Sequence, residues 1–432
     1  MRITPSHRLY GLGAILFVAL AFCSHNFSRV GAPSFLMPLV VAGVGYLLAI
    51  REFLCTPKFP RRVIIVGLAL AALWQLPFLL APPGADDDIH RYVWDGRVQR
   101  LGYNPYLLIP NDPSLAALHT SETRGLNNPY LASPYPPGAQ LFFRAVTAIS
   151  ESTFAFKLAF VICDWAMVLV LLTVLRWTGR GEHWVLAYAW HPLLATEVAG
   201  SGHIDIVGVL LLVASAAALM RRWRAVAAVA FGLAVAVKFL PIVLAPLYWK
   251  RVRIRDAALA SAIAGLLYVP FLDHDRIAFG SLGAFVHSFR FNDPIFARLE
   301  RSMSPEAIAG LAVFAGLLIA AGIRAGSAEW SSSAFAWPMA ASLLFAPVLY
   351  PWYLLWMLPF IGPASTLPII IWTLSIISTD YVWYMRALGR PWIVPGWVLW
   401  LEYGSVAAVV AAMVLWRIIR PARYGAGRAK LD

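Results

Sequence analysis

The stretch RVIIVGLALAALWQLPFLLAPPGADDDIHRYVWDGRVQRLGYNPY, residues 62 to 106, joins two kinds of chain that rarely meet in a soluble protein. After Arg62, residues 63 to 81 form an apolar run broken only by Gln75 and Pro77. About 20 such residues are what a helix needs to cross the hydrocarbon core of a bilayer. Three aspartates come next, Asp86, Asp87 and Asp88, then Arg91, Trp94, Asp95 and Arg97. The spacing therefore predicts a membrane helix that delivers an acidic cluster to the membrane surface.

The rest of the chain agrees with the first half of that reading. Of 432 residues 60% are hydrophobic and 13% are charged, the latter about half the share of an ordinary soluble domain. Apolar spans are read at about 9–27, 33–50, 62–81, 154–176, 184–199, 204–220, 225–238, 239–249, 256–272, 306–323, 333–349, 352–363, 366–384 and 396–417. Several are short, and Pro241 and Pro351 suggest bent or half-helices. The expected fold is all-α: a single polytopic integral membrane domain over 1–432, a bundle of about 12–14 transmembrane helices. Two long loops, about 82–153 and 273–305, lie on one side. The N-terminal run reads as the first retained span rather than a cleaved signal. Cys23, Cys55 and Cys163 are scattered among apolar segments and suggest neither a disulfide framework nor a metal site.

The net charge of +13 does not point to nucleic acid, because the basic residues gather between apolar spans. Placing the N-terminus in the cytoplasm puts 21 Lys and Arg inside and 14 outside. Five of the 14 fall in the long 82–153 loop, where the positive-inside rule is weak; without them the count is 21 against 9. Both long loops then face outward. This requires residues 137–150 to lie as an amphipathic helix on the outer surface.

After Gly84, the residues Ile89, Val93, Trp94, Val98 and Leu101 recur at helical spacing, and Gly102 and Asn104-Pro105 end the segment. Aspartates at such a helix start cap free N–H groups and suit the dipole. Asp87 can pair with Arg91 at i+4, and Arg91 with Asp95. Capping accounts poorly for three adjacent like charges. The functional reading is a carboxylate pair: one removes a proton from a hydroxyl, and the other orients an acceptor or a divalent cation. A neighbouring like charge raises one pKa and improves the base. Arg91, Arg97 and Arg100 could bind phosphate.

DDDIHRYVWDGRVQRLGYNPY resembles the first outer loop of the GT-C-fold bacterial glycosyltransferases. It is most similar to the polyprenol-phosphate-mannose-dependent mannosyltransferases. Asp87 and Asp88 match that family's aspartate pair, and Arg91, Tyr92, Trp94, Asp95, Gly96 and Arg97 match the residues after the pair; His90 replaces a tyrosine, and Asp86 a small residue. SPYPPGAQLFF (133–143), WHPLLATEVAGSGHIDIVGVLLL (190–212), AVAVKFLPIVLAPL and APVLYPWYLLWMLPF resemble later family segments in order. In the second of these, His191 stands in place of the family's usual asparagine, and Ile204-Asp205 in place of Asn-Asp.

The resemblance implies a membrane glycosyltransferase that moves a sugar, mannose, from a polyprenyl-phosphate donor to a lipid, glycan or protein acceptor. The expected place is the bacterial inner (plasma) membrane, with the site on the outer face. Asp87 is the expected base and Asp88 the orienting group. Candidate binding residues are Asp86, Arg91, Trp94, Asp95, Arg97, Asn104, Tyr135, His203, Asp205, Lys238, His287, Arg290, Tyr350, Trp352 and Tyr353. Several have plainer readings: a turn at Ser201-Gly202 before His203 and Asp205, a snorkelling Lys238, a solvated loop around His287, Arg290 and Asp293, a rigid turn at Tyr135, and an interfacial aromatic belt at Tyr350 to Trp356. No organic cofactor is expected, and a divalent cation at Asp87 and Asp88 is left open. The rival reading is a polytopic transporter or flippase for a lipid-linked or small polar substrate. It would show paired repeats and mid-membrane ionisable residues, and no clear repeat is visible.

Overall fold

The structure, a computed structural model, describes residues 4–85, 88–273, 276–277, 280–326 and 331–419. Three helices open the chain: α1 (Pro5–His25), α2 (Pro33–Cys55) and α3 (Arg61–Leu80). The first long loop carries α4 (Asp88–Arg100) and α5 (Pro137–Thr147), and α6 (Thr153–Trp177) leads back. Then come α7 (Val185–Ala189), α8 (Asp205–Met220), α9 (Arg224–Val237) and α10 (Ile254–Leu266). The second loop holds a two-stranded hairpin, α11 (Leu282–Ser288) and α12 (Pro294–Leu299). The last five helices are α13 (Pro305–Gly326), α14 (Ser333–Leu343), α15 (Leu367–Ser375), α16 (Tyr381–Ala387) and α17 (Gly396–Ile419).

The chain is an all-α polytopic membrane protein. Eight helical stretches among the described residues are long and apolar enough to cross a membrane, with two shorter apolar helices at Asp205–Met220 and Arg224–Val237. Their outer surfaces carry Val40, Leu73, Leu169 and Leu318, each more than half exposed. A surface this apolar suits acyl chains rather than water. The expected short spans exist as tight helices: Leu240–Tyr248 and Pro351–Phe360 are 3-10, with Pro241, Pro246, Pro351 and Pro359 in them. Proline removes the N–H that an α-turn needs, so the winding changes instead of continuing.

Small residues let the helices close up, as membrane packing requires. Gly67 lies so near Leu186 that a Cβ would approach within 2.7 Å of it, and Trp190 Nε1 donates to the Gly67 carbonyl at 2.9 Å. Asp164, inside the bundle, accepts from Gln75 Nε2 at 2.9 Å and from the Tyr188 hydroxyl. Lys157 Nζ donates to Phe78 O and Ala81 O at 2.7 and 2.6 Å. It thus closes the carbonyl end of α3, where a cation is favoured, and fixes the start of the loop that leads to Asp88. At α5, eleven residues rise only about 16 Å, half a hydrocarbon core, so this helix packs on α4 and α9 without spanning.

Candidate functional site

Helix α4 is described from Asp88 onward, with its apolar residues at the expected helical spacing, and the left-handed Gly102 (φ +87°) comes just after its end. It is buried around most of its circumference rather than along one stripe: Arg91, Tyr92, Asp95, Gly96 and Gln99 are enclosed together with Ile89, Val93, Trp94 and Val98, while Leu101 is exposed. A Cβ on Gly96 would sit 2.5 Å from Phe143 O, so the glycine permits the contact with α5. Asp86 and Asp87 lie outside the described residues.

Most of the polar residues of this segment hold the loop in place. Arg91 Nη2 donates to the carbonyls of Asn127 and Asn128 at 3.1 and 2.8 Å. Asp95 accepts from Ser133 Oγ and from Gln140 Nε2, the latter at 2.9 Å. Burial pushes its carboxyl up to about 6, against the opposing pull of the Arg91 guanidinium. Trp94 is buried with its ring stacked on His119 at 4.2 Å. Arg97 donates to Leu118 O at 2.8 Å and pairs with Glu151. Asn104 Nδ2 donates to Phe271 O at 2.9 Å, tying the first long loop to the start of the second.

One cavity of about 770 Å³ gathers residues from Asp88 to Trp392. Asp88 contributes from α4, where Asn127 Nδ2 donates to its Oδ1. Asp205 and Lys238 come from the facing ends of α8 and α9 and meet at 2.7 Å. Trp356 Nε1 donates to the same Asp205 oxygen at 2.6 Å, and the Lys238 ammonium lies 3.6 Å from the Tyr353 ring centroid, a cation–π distance. Arg290 lines the wall while bound to Glu300, its Nε at 3.1 Å, and to the carbonyls of Val286 and Phe289. Tyr135 also lines it, set edge-on to Tyr92.

The aromatic side of the cavity is a continuous stack. His203 lies on Trp352 at 4.0 Å, Trp352 on Tyr350 at 4.4 Å, and Tyr350 on Phe291 at 4.4 Å. Phe291 continues to Trp392 at 5.3 Å, and Trp392 meets Trp383 at 4.5 Å. His203 is itself buried, with Nε2 3.3 Å from Glu197 Oε2, behind the wall rather than in it. Glu197 belongs to a π-helical turn, Leu194–Ser201, closed by Gly202 at φ +80°. His287 is exposed beside Glu306 and is not part of the wall.

Of the residues singled out in the sequence, Asp88, Tyr135, Asp205, Lys238, Arg290, Tyr350, Trp352 and Tyr353 share this space. Arg91, Trp94, Asp95, Arg97, Asn104, His203 and His287 do not line it. Sequence reasoning missed Asn127, Asn128, Trp383, Arg386 and Trp392, which do. Arg386 sits over the rings of Trp383 and Trp392 at 5.9 and 5.4 Å. Trp383 and Arg386 are spaced i, i+3 on α16, a signal that reads from sequence as the basic end of a span. Among the described residues no group of three or more His, Cys, Asp or Glu is placed to hold a metal ion.

Residues 18–252 match the model of the alpha-(1->6)-mannopyranosyltransferase family, N-terminal domain. The chain belongs to this family. It is a membrane glycosyltransferase by that membership, and the matched stretch contains α4, α5, Asp205 and Lys238. The cavity of this mannosyltransferase-family protein is completed by residues beyond the match, from Leu282 to Trp392. Neither the curated proteins nor the solved structures include a match to this chain.

Proposed function

We propose that this protein transfers mannose from a polyprenyl-phosphate donor to an acceptor hydroxyl at the outer face of the cell membrane. The observation that carries the reading is the single cavity that holds Asp88, the Asp205–Lys238 pair, Arg290, Arg386 and an aromatic wall. Asp87, the chain neighbour of Asp88, takes the proton of the acceptor hydroxyl. The freed oxygen attacks the anomeric carbon as the bond to the phosphate oxygen breaks, and polyprenyl phosphate leaves with the electron pair. Attack from the opposite side of a β-linked donor gives the α linkage named for the family. Asp88, steadied by Asn127, orients the acceptor. The count of 21 basic residues against 9 supports an outward site, where a lipid-linked sugar rather than a cytoplasmic nucleotide sugar is at hand.

Negative charge grows on the departing phosphate, so cations fixed near it stabilise the transition state. Lys238 already faces Asp205, and Arg290 faces Glu300. Among the described residues Arg386 has no carboxylate partner within ion-pair distance. Its guanidinium rests on two indoles, which leaves the N–H edge able to take a phosphate. Arg386 takes the phosphate, and Lys238 positions Asp205. Membranes that contain the protein are incubated with radiolabelled polyprenyl-phosphate mannose. Label in a glycosylated product, lost in Asp87→Asn, is expected; no transfer from this donor, with transfer from a nucleotide sugar, would overturn the reading.

A further inference from the structure

A second cavity, about 720 Å³, lies at the other end of the bundle. Its wall comes from two chain segments, 58–64 before and within α3 and 176–183 from the last turn of α6 onward. Helix α3 runs from this cavity toward the Asp88 loop, and α6 runs back from the loop to it. The two sites are therefore separated by the length of a membrane helix. Four cations line the second one, Lys58, Arg61, Arg176 and Arg180, against one carboxylate, Glu182. Arg176 is committed to Glu182 through Nε at 3.1 Å and Nη2 at 3.0 Å. Among the described residues Lys58, Arg61 and Arg180 have no carboxylate within ion-pair distance. Phe59 and the buried His183 pack together at 5.1 Å in the same wall.

The start of α3 adds a second observation. Its first turn contains Arg61 and Arg62, no acidic residue, and no side-chain cap from Pro60. Cations at a helix N-terminus oppose the macrodipole, and uncapped N–H groups there favour an anion. The depth of the cavity identifies the kind of anion. Trp177, adjoining Arg176, meets Trp223 at 6.3 Å and carries Arg221 over its ring at 5.0 Å, an aromatic and basic arrangement characteristic of the headgroup level. Ile65 is 57% exposed one turn beyond Arg61. A lipid with its phosphate at Arg61 would lay an acyl chain over Ile65, since i and i+4 share a helix face.

We infer that this basic cavity binds the phosphate headgroup of an anionic phospholipid, at a site separate from the transfer cavity. Basic pockets between membrane helices are suited to such headgroups. The test uses the full chain purified in a neutral detergent, titrated with short-chain phosphatidylglycerol and with short-chain phosphatidylcholine. Phosphatidylglycerol is expected to bind the more tightly. The pair Arg61→Gln/Arg180→Gln should weaken it about tenfold or more and leave phosphatidylcholine unchanged; the single Arg180→Gln, in a turn, gives the same direction should the pair fold poorly. The control pair Lys250→Gln/Arg255→Gln removes equal charge from the same end of the bundle outside the cavity and should have little effect. Equal losses in both pairs, or no loss in the first, would overturn the site. Displacement of the lipid by inorganic phosphate at comparable concentration would overturn the lipid assignment in favour of a soluble anion. Because the readout is binding, the result is independent of whether mannose transfer is observed.

Discussion

Lys238 and Asp205 meet at 2.7 Å on the wall of the large cavity, with the carboxylate almost fully enclosed and the ammonium-bearing side chain one quarter exposed. The acid is held from a second side by Trp356 Nε1 at 2.6 Å. Two residues from different helices thus form one polar unit between the end of α9 and the start of α8. Removing either partner leaves the other incompletely compensated in a low-dielectric place.

Lys238→Met should therefore lower both stability and transfer, and Asp205→Asn should recover part of the stability loss when added to it. A coupling of about 1–3 kcal/mol is the scale expected for groups in one network. Thermal unfolding in detergent of the two single variants and the double variant measures it. Additive losses would show that the pair contributes nothing as a unit.

Asp87→Asn should reduce transfer by about 10²–10⁴ while the protein stays folded, which is the range for loss of a general base. Asp88→Asn keeps a side-chain oxygen for Asn127 and should cost less in rate. The measurement is turnover of labelled donor by purified protein. The reverse order, with the larger loss at Asp88, would move the base by one residue.

Arg386→Met should lower kcat/KM for the polyprenyl-phosphate donor by about ten- to a hundredfold, with kcat itself falling, the scale of one charge-assisted contact of roughly 1.5–3 kcal/mol. Arg386→Lys keeps the charge and loses the planar contact with Trp383 and Trp392, so it should fall between. Donor KM and kcat measured separately decide the matter. Wild-type values in both variants would remove Arg386 from the site.

Asp95 makes stability depend on pH. Burial raises its carboxyl from 3.8 to about 6, so between those values the folded protein holds a proton that the unfolded chain has already released. Its contribution is complete below the ordinary carboxylate range and is lost as pH rises through about 6, at about 1.4 kcal/mol for each pH step of one between the two values. Unfolding temperatures of wild type and Asp95→Asn between pH 4.5 and 7.5 should show the steeper decline in wild type. Parallel curves would mean that Asp95 does not titrate in this window.

The proposed orientation is tested by single cysteines at Asp112 and Arg222 in a background lacking Cys23, Cys55 and Cys163. An impermeant thiol reagent applied to intact cells should label position 112 and miss position 222. The opposite pattern would place the large cavity on the cytoplasmic side.

The sequence by itself determined the class of this protein, the positions of its helices and its family. Bilayer-spanning helices satisfy their backbone hydrogen bonds locally, so an apolar run of sufficient length carries its structure with it; each of the 14 runs overlaps helix of some kind, though 333–349 extends beyond Leu343, where its helix ends. The acidic start of α4 and its glycine stop were legible for the same reason, as was the order of motifs in the stretch that the family match covers. Tertiary structure alone decided which polar residues face the cavity. The motif residues Trp94, Asp95 and Arg97 turn to His119, Ser133 with Gln140, and Glu151, while Arg386, from an undistinguished span end, joins the wall. Partners such as Lys238 and Asp205, or Arg290 and Glu300, meet because helices and loops pack at particular angles. Packing between distant segments leaves no periodic mark on the chain. The orientation of a polar side chain on an enclosed helix like α4 is fixed by which neighbour supplies its hydrogen bonds, and only the assembled bundle places that neighbour.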